Sequence, residues 1–256
     1  MLTETWLCDN ARDSAIFDYY LPNYQLFHKP RAQRGGGVGV ILRKGYDTHE
    51  FVSNQYSSFE HLDLAISSGS AHLHLLSVYR PPPSNKLTVA KFMNDFSALL
   101  ETIIISSGKL IITGDFNFHM DDVPLNQDAS LFMDLLGYYG LVQYVSSSTH
   151  ARGHLLDLII TNPNTFVGSQ IDTSVSFTLP SDHAVVTYSI AMPRPKPVRI
   201  QVNHRKLRHI DVELLRDDIR ASFSNKQMLT FPTKLIIITA PYGLSLVNMH
   251  LNAYDL

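Results

Sequence analysis

The sequence predicts an α/β domain, and three observations lead there. The apolar run Lys109-Leu110-Ile111-Ile112-Thr113 has the length and composition of a buried strand, and it delivers Gly114-Asp115-Phe116-Asn117 at its carboxyl end. Leu62, Leu64 and Ile66 alternate, as do Leu73 and Leu75, which predicts strands over 59–67 and 71–79 joined by the turn Ser67-Ser68-Gly69-Ser70. Val89, Phe92, Phe96, Leu99, Leu100 and Ile103 recur at helical spacing, which predicts an amphipathic helix over 86–104.

Taken in order, Leu2 to Leu7 reads as the end of a strand with Glu4 as an acid at its tip. Residues 9–24 read as a short helix and a loop. Lys29, Arg31 and Arg34 precede Gly35-Gly36-Gly37-Val38-Gly39, a cluster that invites a phosphate-loop reading. That reading fails, because Val38 to Leu42 continues as a strand and no Gly-Lys-Ser/Thr follows. The strand at 71–79 is stopped by Pro81-Pro82-Pro83, which leaves Tyr79 and Arg80 at its mouth. A second helix is expected over 128–136, with Gly137 and Gly140 as stops. Leu141 to Val145 and Leu155 to Ile160 read as strands, and another follows Ser181-Asp182-His183 over 184–190. Beyond Met192 three alternate prolines mark a linker, and 191–210 carries six Lys/Arg and no acid, the pattern of a solvated basic tether. A helix is expected over 210–223, and no pattern stands out after about Asn225.

Composition sets bounds. The chain has 256 residues, 45% hydrophobic and 17% charged, enough for one large domain or one domain with a tail. A formal net charge of −2 gives no signature of a polyanion binder. The single cysteine, Cys8, allows no internal disulfide and fits a reducing compartment. Met1 to Trp6 lacks the pattern of a secretory signal and no apolar run is long enough to span a bilayer, so an intracellular protein without a membrane partner is expected.

Four places carry the chemistry. Asp115 and Asn117 stand two apart at the carboxyl edge of a central strand, where open α/β sheets bind ligands. The carboxylate can take a proton or hold a water and the amide can touch an anion, although an Asp/Asn turn explains the same residues. Asp157 lies within an apolar strand, where a carboxylate without a partner is costly. Asp182 and His183 sit at a strand entrance, and Asp157 is the natural group to orient that imidazole. His150 and His154 have the spacing of a metal pair. They sit in a Gly- and Ser-containing loop with no Glu or Cys beside them, so they are expected to be loop residues without zinc.

Leu-Thr-Glu-Thr-Trp (2–6), Val-Tyr-Arg-Pro-Pro (78–82), Gly-Asp-Phe-Asn (114–117) and Ser-Asp-His (181–183) occur in one order. That ordered set resembles the endonuclease/exonuclease/phosphatase superfamily. Arg-Gly-Gly-Gly-Val-Gly-Val (34–40) and Thr-His-Ala-Arg-Gly-His-Leu-Leu-Asp-Leu-Ile (149–159) narrow the likeness to the apurinic-like endonuclease domain of LINE-type, non-LTR retrotransposons. The resemblance spans about residues 1–192. It implies a four-layer α/β sandwich, two mixed β-sheets face to face with helices outside, in which the family's first strand is expected to be missing. It further implies a division into 1–192, a Pro-rich basic linker and helix over 193–224, and a tail over 225–256.

By the same resemblance Glu4 is a metal ligand and Asp182 lies on the metal side. Asp115 activates the attacking water, Asn117 and Tyr79 contact the phosphate with Arg80 also on the substrate, and Asp157 orients His183 towards the phosphoryl oxygens. The implied ion is Mg²⁺, with Mn²⁺ as an alternative, since hard oxygen ligands suit either. The implied substrate is DNA, nicked in the nucleus to prime a reverse transcriptase domain found in full-length relatives. A catalytically inactive remnant, a phosphodiesterase of the same fold acting on another phosphate ester, and a plain α/β structural domain are the rival readings.

Overall fold

The structure, a computed structural model, describes residues 1–7, 17, 20–31, 35–52, 55–84, 87–105, 109–123, 125–163, 173–190, 192–193, 195, 211–224, 237–240 and 243–246. Cys8, Arg34 and most of the basic stretch at 191–210 lie outside them.

The alternation of Leu62, Leu64 and Ile66 with that of Leu73 and Leu75 becomes a long hairpin. β5 (Glu60–Ser68) and β6 (Ala71–Tyr79) pair antiparallel, with Leu64 opposite Leu75 and Ile66 opposite Leu73. From β6 the chain passes through helix α1 (Val89–Ile103) into β7 (Lys109–Asp115), which lies parallel to β6. Thr88 caps α1, its hydroxyl accepting the Lys91 N–H at 3.2 Å. β7 then pairs antiparallel with β9 (Asp157–Thr161), which carries the two-residue β8 (Val142–Gln143) on its far side. With β4 (Asp47–Glu50) at the other edge, the six-stranded sheet runs β4-β5-β6-β7-β9-β8.

A second sheet of three strands, in the order β1-β3-β2, consists of β1 (Leu2–Thr3), β2 (Tyr24–Lys29) and β3 (Val38–Arg43). β1, β2 and β3 pack on β5, β6 and β7, so the two sheets lie face to face. α1 and α2 (Gln127–Tyr138) occupy the opposite face of the larger sheet. There Phe59, Phe92, Phe96, Phe116, Phe118 and Phe132 form one aromatic cluster, with Phe92 stacked on Phe96 at 5.2 Å and Phe118 on Phe132 at 4.7 Å. The apolar stripe of α1 is thus core and not a cofactor box. A two-stranded sheet of β10 (Thr173–Ser176) and β11 (Val185–Tyr188) completes the first unit of the chain, Met1–Arg199. The architecture is the expected mixed α/β fold of two sheets and outer helices. Within the second unit, Ile200–Leu256, lie helix α3 (Val212–Ser224) and a hairpin of β12 (Ile237–Ala240) and β13 (Gly243–Leu246).

Three expectations change in detail. Gly137 lies inside α2, and the helix gives way at Gly140, whose φ of +66° is the left-handed stop. The strand expected at 141–145 shrinks to two residues, because the Gln143 amide turns back to bond both the N–H and the carbonyl of Val145. β9 begins at Asp157, so that acid stands at the strand's start and not in its interior.

Gly114 marks a close approach of β7 to β6. Its φ is +145°, and a Cβ there would stand 1.8 Å from the Val78 carbonyl oxygen on the neighbouring strand. Gly114→Ala should therefore cost roughly 2–4 kcal/mol of stability in urea unfolding. Gly69→Ala, at a φ of +61° in open space, should cost only about 1 kcal/mol. Equal losses would show that the β6–β7 crossing is looser than described.

Candidate active site

Strand register assembles the site. In the parallel pair Tyr79 stands opposite Asp115, and in the antiparallel pair Asp115 stands opposite Asp157. Side chains directly opposite share a face of a sheet, so the three form one row across adjacent strands at the carboxyl ends of β6 and β7. Glu60, opposite Tyr79 on β5, extends the row by one.

Each end of the row receives a residue from a distant part of the chain. At one end the Tyr79 hydroxyl donates to the Glu4 carboxylate. Glu4 follows β1 in the left-handed region, at a φ of 51°, and its segment is held by Thr5 N–H to the Gly37 carbonyl (3.2 Å) and Trp6 N–H to the Gly36 carbonyl (3.0 Å). The Gly-rich stretch thus clasps the chain that carries Glu4 and does not cradle a phosphate. Glu60 in turn accepts from the Gly37 N–H and from the Arg31 guanidinium, which lies 5.6 Å from the centre of the Tyr79 ring.

At the other end His183 Nδ1 lies 2.8 Å from Asp157 Oδ2. The His183 segment pairs with 149–151 through Ala184 N–H to the Thr149 carbonyl (2.7 Å) and Ala151 N–H to the Asp182 carbonyl (2.8 Å). The buried Thr149 hydroxyl accepts the N–H groups of Leu156 and Asp157, both at 3.0 Å, and so fixes the start of β9.

Asp115 is buried in the middle of the row. Its carboxylate accepts the Asn117 backbone N–H at 3.1 Å and the Asn117 side-chain amide at 3.0 Å. That amide also donates to the Arg80 carbonyl at 2.7 Å. Both amide hydrogens are therefore engaged within the protein, and Asn117, at a φ of 50°, steadies Asp115. Arg80 differs from expectation. Only 2% exposed, it donates to the Phe116 and Asn117 carbonyls at 2.9 and 3.0 Å and lies 4.0 Å over the Phe118 ring. Its guanidinium holds the underside of the Asp115–Asn117 turn instead of facing a substrate. Burial lowers its pKa to about 10, which leaves it a cation at neutral pH.

The electrostatics follow from this crowding. Burial pushes the Asp115 carboxyl up to about 7; Asp157 and Glu4 add to the rise, while His183 and the Asn117 N–H oppose it. The hydrogen bond to Asp157 lifts His183 to about 9 against its own burial, with the charges of Asp157, Asp115 and Asp182 adding to the rise. Burial and the Glu4 carboxylate raise the Tyr79 phenol above its ordinary range. At neutral pH the row thus holds a protonated imidazole, a neutral phenol and a carboxyl poised between its two forms.

A divalent cation fits this surplus of carboxylate, and the accessible Glu4 offers it a hard oxygen ligand. Among the described residues two groups of three ligand-bearing side chains lie with their ligand atoms within 4.8 Å of one another: His150, Asp182 and His183, and separately His119, Asp121 and His154. Glu4 is in neither. Asp182, 72% exposed, stands 3.5 Å from His150 Nε2. His150 and His154, expected as loop residues with no Glu or Cys beside them, each meet an Asp from a loop remote in sequence. Arg31, Glu60 and Thr149 were not singled out by sequence reasoning as parts of a site. Thr149 lies within the motif at 149–159 and Arg31 just before the one at 34–40, while no motif pointed to Glu60.

The profile of the Endonuclease/Exonuclease/phosphatase family matches residues 1–183, and the chain belongs to that family, which is one of phosphoester hydrolases. No curated protein matches the sequence at a significant level. Among solved structures the fold is similar to the endonuclease domain of TRAS1, a telomere-specific non-LTR retrotransposon, with a TM-score of 0.54 at 13% identity, covering 65% of this chain and 77% of that one. It is also similar to the 3′ phosphatase NExo from Neisseria bound to a product DNA hairpin, with a TM-score of 0.56 at 18% identity, covering 74% and 87%. A mannosyl-6-phosphatase from Bacteroides thetaiotaomicron gives a TM-score of 0.50 at 15% identity, covering 74% and 84%. At these identities the likeness is one of fold. Among the described residues no helix is long and apolar enough to cross a membrane.

The His183–Asp157 pair makes a pH prediction. A raised imidazole pKa means that the folded state holds the proton more tightly than the unfolded chain. The pair's stabilisation is then full below pH 6.5 and is lost as pH climbs through about 9. In chelator-containing buffer, the His183 ring proton should titrate near 9 in the native protein and at or below 6.5 in Asp157→Asn. The stability gap between the two proteins should close over the same window. An unchanged midpoint would dissociate His183 from Asp157.

Proposed function

We propose that the protein is a metal-dependent endonuclease that hydrolyses phosphodiester bonds in DNA, of the kind that nicks a target for reverse transcription in a non-LTR retrotransposon. One observation carries the reading. Glu4, Tyr79, Asp115, Asp157 and His183 meet along a single row, which combines a near-neutral carboxyl with a protonated imidazole. The narrower retrotransposon reading rests on the ordered motifs at 2–6, 34–40, 78–82, 114–117, 149–159 and 181–183. Nuclear action and a reverse transcriptase in longer relatives follow from that reading alone.

The reaction needs an activated water and relief of the charge that grows on the phosphoryl oxygens. Asp115, with a pKa of about 7, is ionised often enough at neutral pH to take the proton of the attacking water. Asn117 holds it in place from the side and Arg80 from below. The cationic His183, with Nδ1 engaged by Asp157, is left with its Nε2–H as a donor to a phosphoryl oxygen. The Tyr79 hydroxyl is a second donor once it turns from Glu4. Glu4 would hold the divalent ion, Mg²⁺ or Mn²⁺, with Asp182 assigned to the metal side by the resemblance alone; when bound the ion would supply charge neutralisation at the phosphate. The products are a 3′-hydroxyl and a 5′-phosphate.

The test is conversion of supercoiled plasmid to the nicked circle by the purified chain with Mg²⁺. Asp115→Asn should lower the rate by about 10²–10⁴-fold, and His183→Ala by about 10²–10³-fold, with circular dichroism unchanged in both. A chelator should abolish nicking and Mg²⁺ restore it. An unchanged nicking rate in His183→Ala would sink the assignment. Hydrolysis of a phosphomonoester by a chain that leaves the plasmid intact would move the reading to a phosphatase of the same fold.

A further inference from the structure

Outside the row, the turn after β7 meets the loop before β9. Asp121 lies in the short 3₁₀ turn Met120–Asp122, and its Oδ1 accepts the Leu155 N–H at 2.9 Å. Met120 N–H returns to the Leu155 carbonyl at 3.1 Å, so backbone on both sides clasps the two segments. Onto this clasp project two imidazoles, His119 and His154, with ring centroids 4.1 Å apart. His154 Nδ1 lies 3.3 Å from Asp121 Oδ2. The His119 imidazole makes no hydrogen bond among the described residues, although it is held close to another imidazole and a carboxylate.

We propose that His119, Asp121 and His154 form a binding site for a divalent ion of the zinc class, separate from the row of Glu4, Asp115 and His183. The donor set is the first argument. Two imidazole nitrogens and one carboxylate oxygen suit Zn²⁺ with a water in the fourth place, whereas Mg²⁺ prefers oxygen alone. Spacing is the second. Bonds of about 2.0–2.2 Å in a tetrahedron set donors about 3.4 Å apart, and the His154–Asp121 pair already has that separation, at 3.3 Å. With every ligand atom within 4.8 Å of the others, His119 needs to move in by at most about 1.4 Å to complete the set. Orientation is the third, because the second oxygen of Asp121 is already tied to Leu155, as the outer partners of metal ligands are.

The group of His150, Asp182 and His183 is a weaker host. There Nδ1 of His183 is engaged by Asp157, and Asp182 is mostly exposed. The position of the proposed ion gives it a role. It ties the chain that leaves β7 after Asp115 and Asn117 to the chain that enters β9 at Asp157. It therefore cross-links two walls of the row without touching a reacting atom. The inference does not depend on which phosphoester is the substrate.

The experiment is a Co²⁺ titration of the full chain, stripped of metal and then saturated with Mg²⁺, read by the visible absorption of tetrahedral Co²⁺ and reversed by Zn²⁺. One equivalent should bind and raise Tm. His119→Ala and His154→Ala should each weaken it at least about tenfold, with far-UV circular dichroism confirming that the exposed His119→Ala variant folds. His183→Ala should keep both the band and the rise in Tm. Absence of a band in the native protein, a band of native strength in His119→Ala, or loss of the band in His183→Ala would each overturn the site. The readout is a spectrum and a melting temperature, so a failure here is distinct from a failure to nick DNA.

Discussion

The register of β6, β7 and β9 is the constraint on which the rest depends. A slip of one residue in either pairing would turn Tyr79, Asp115 or Asp157 to the opposite face, towards the aromatic cluster under α1 and α2. Apolar burial on both faces of β6 and β7 resists such a slip. The missing side chain at Gly114 permits the close approach that sets Asp115 beside Tyr79. The chemistry of the row is a consequence of how tightly the central strands are packed.

Around that row the polar residues divide their labour. Arg80, Asn117 and Thr149 spend their hydrogen bonds inside the protein, on carbonyls, on the Asp115 carboxylate and on the N–H groups that open β9. Glu60 and Arg31 hold the glycine stretch, which holds Glu4. Glu4, Tyr79, Asp115 and His183 are left to form the row itself, and in Tyr79, Asp115 and His183 the protonation is shifted by burial and by their neighbours. Fixing the first group makes the second group's geometry independent of a bound ligand.

Much of this was legible in the sequence. Periodicity located β5, β6, α1, β7 and α2 within a few residues, because their apolar positions pack into one core. Asp157 announced itself as an acid in apolar company, and its partner His183 lay at the entrance of the strand that forms β11. Other parts were not legible, for identifiable reasons. β4, Asp-Thr-His-Glu, is a polar edge strand with no apolar pattern to find. β2 is half-buried on both sides, so its alternation is blurred. Arg80 follows a strand end that points at the mouth, and the Phe92 and Phe118 rings that cover its guanidinium meet it only after folding. The acids that join His150 and His154 come from 121 and 182, and no spacing rule connects loops that meet only after folding.

The separation between Glu4 and Tyr79, 75 positions apart along the chain, bears on the order of assembly. The β5–β6 hairpin and the β6–α1–β7 crossover close short loops, which costs little entropy and favours early formation. Glu4 docks only across a long loop, onto a surface those elements must first create. The hydrophobic body therefore matures before the acid cluster is complete. On that order a partly folded chain would carry the strands of the row without its Glu4 end.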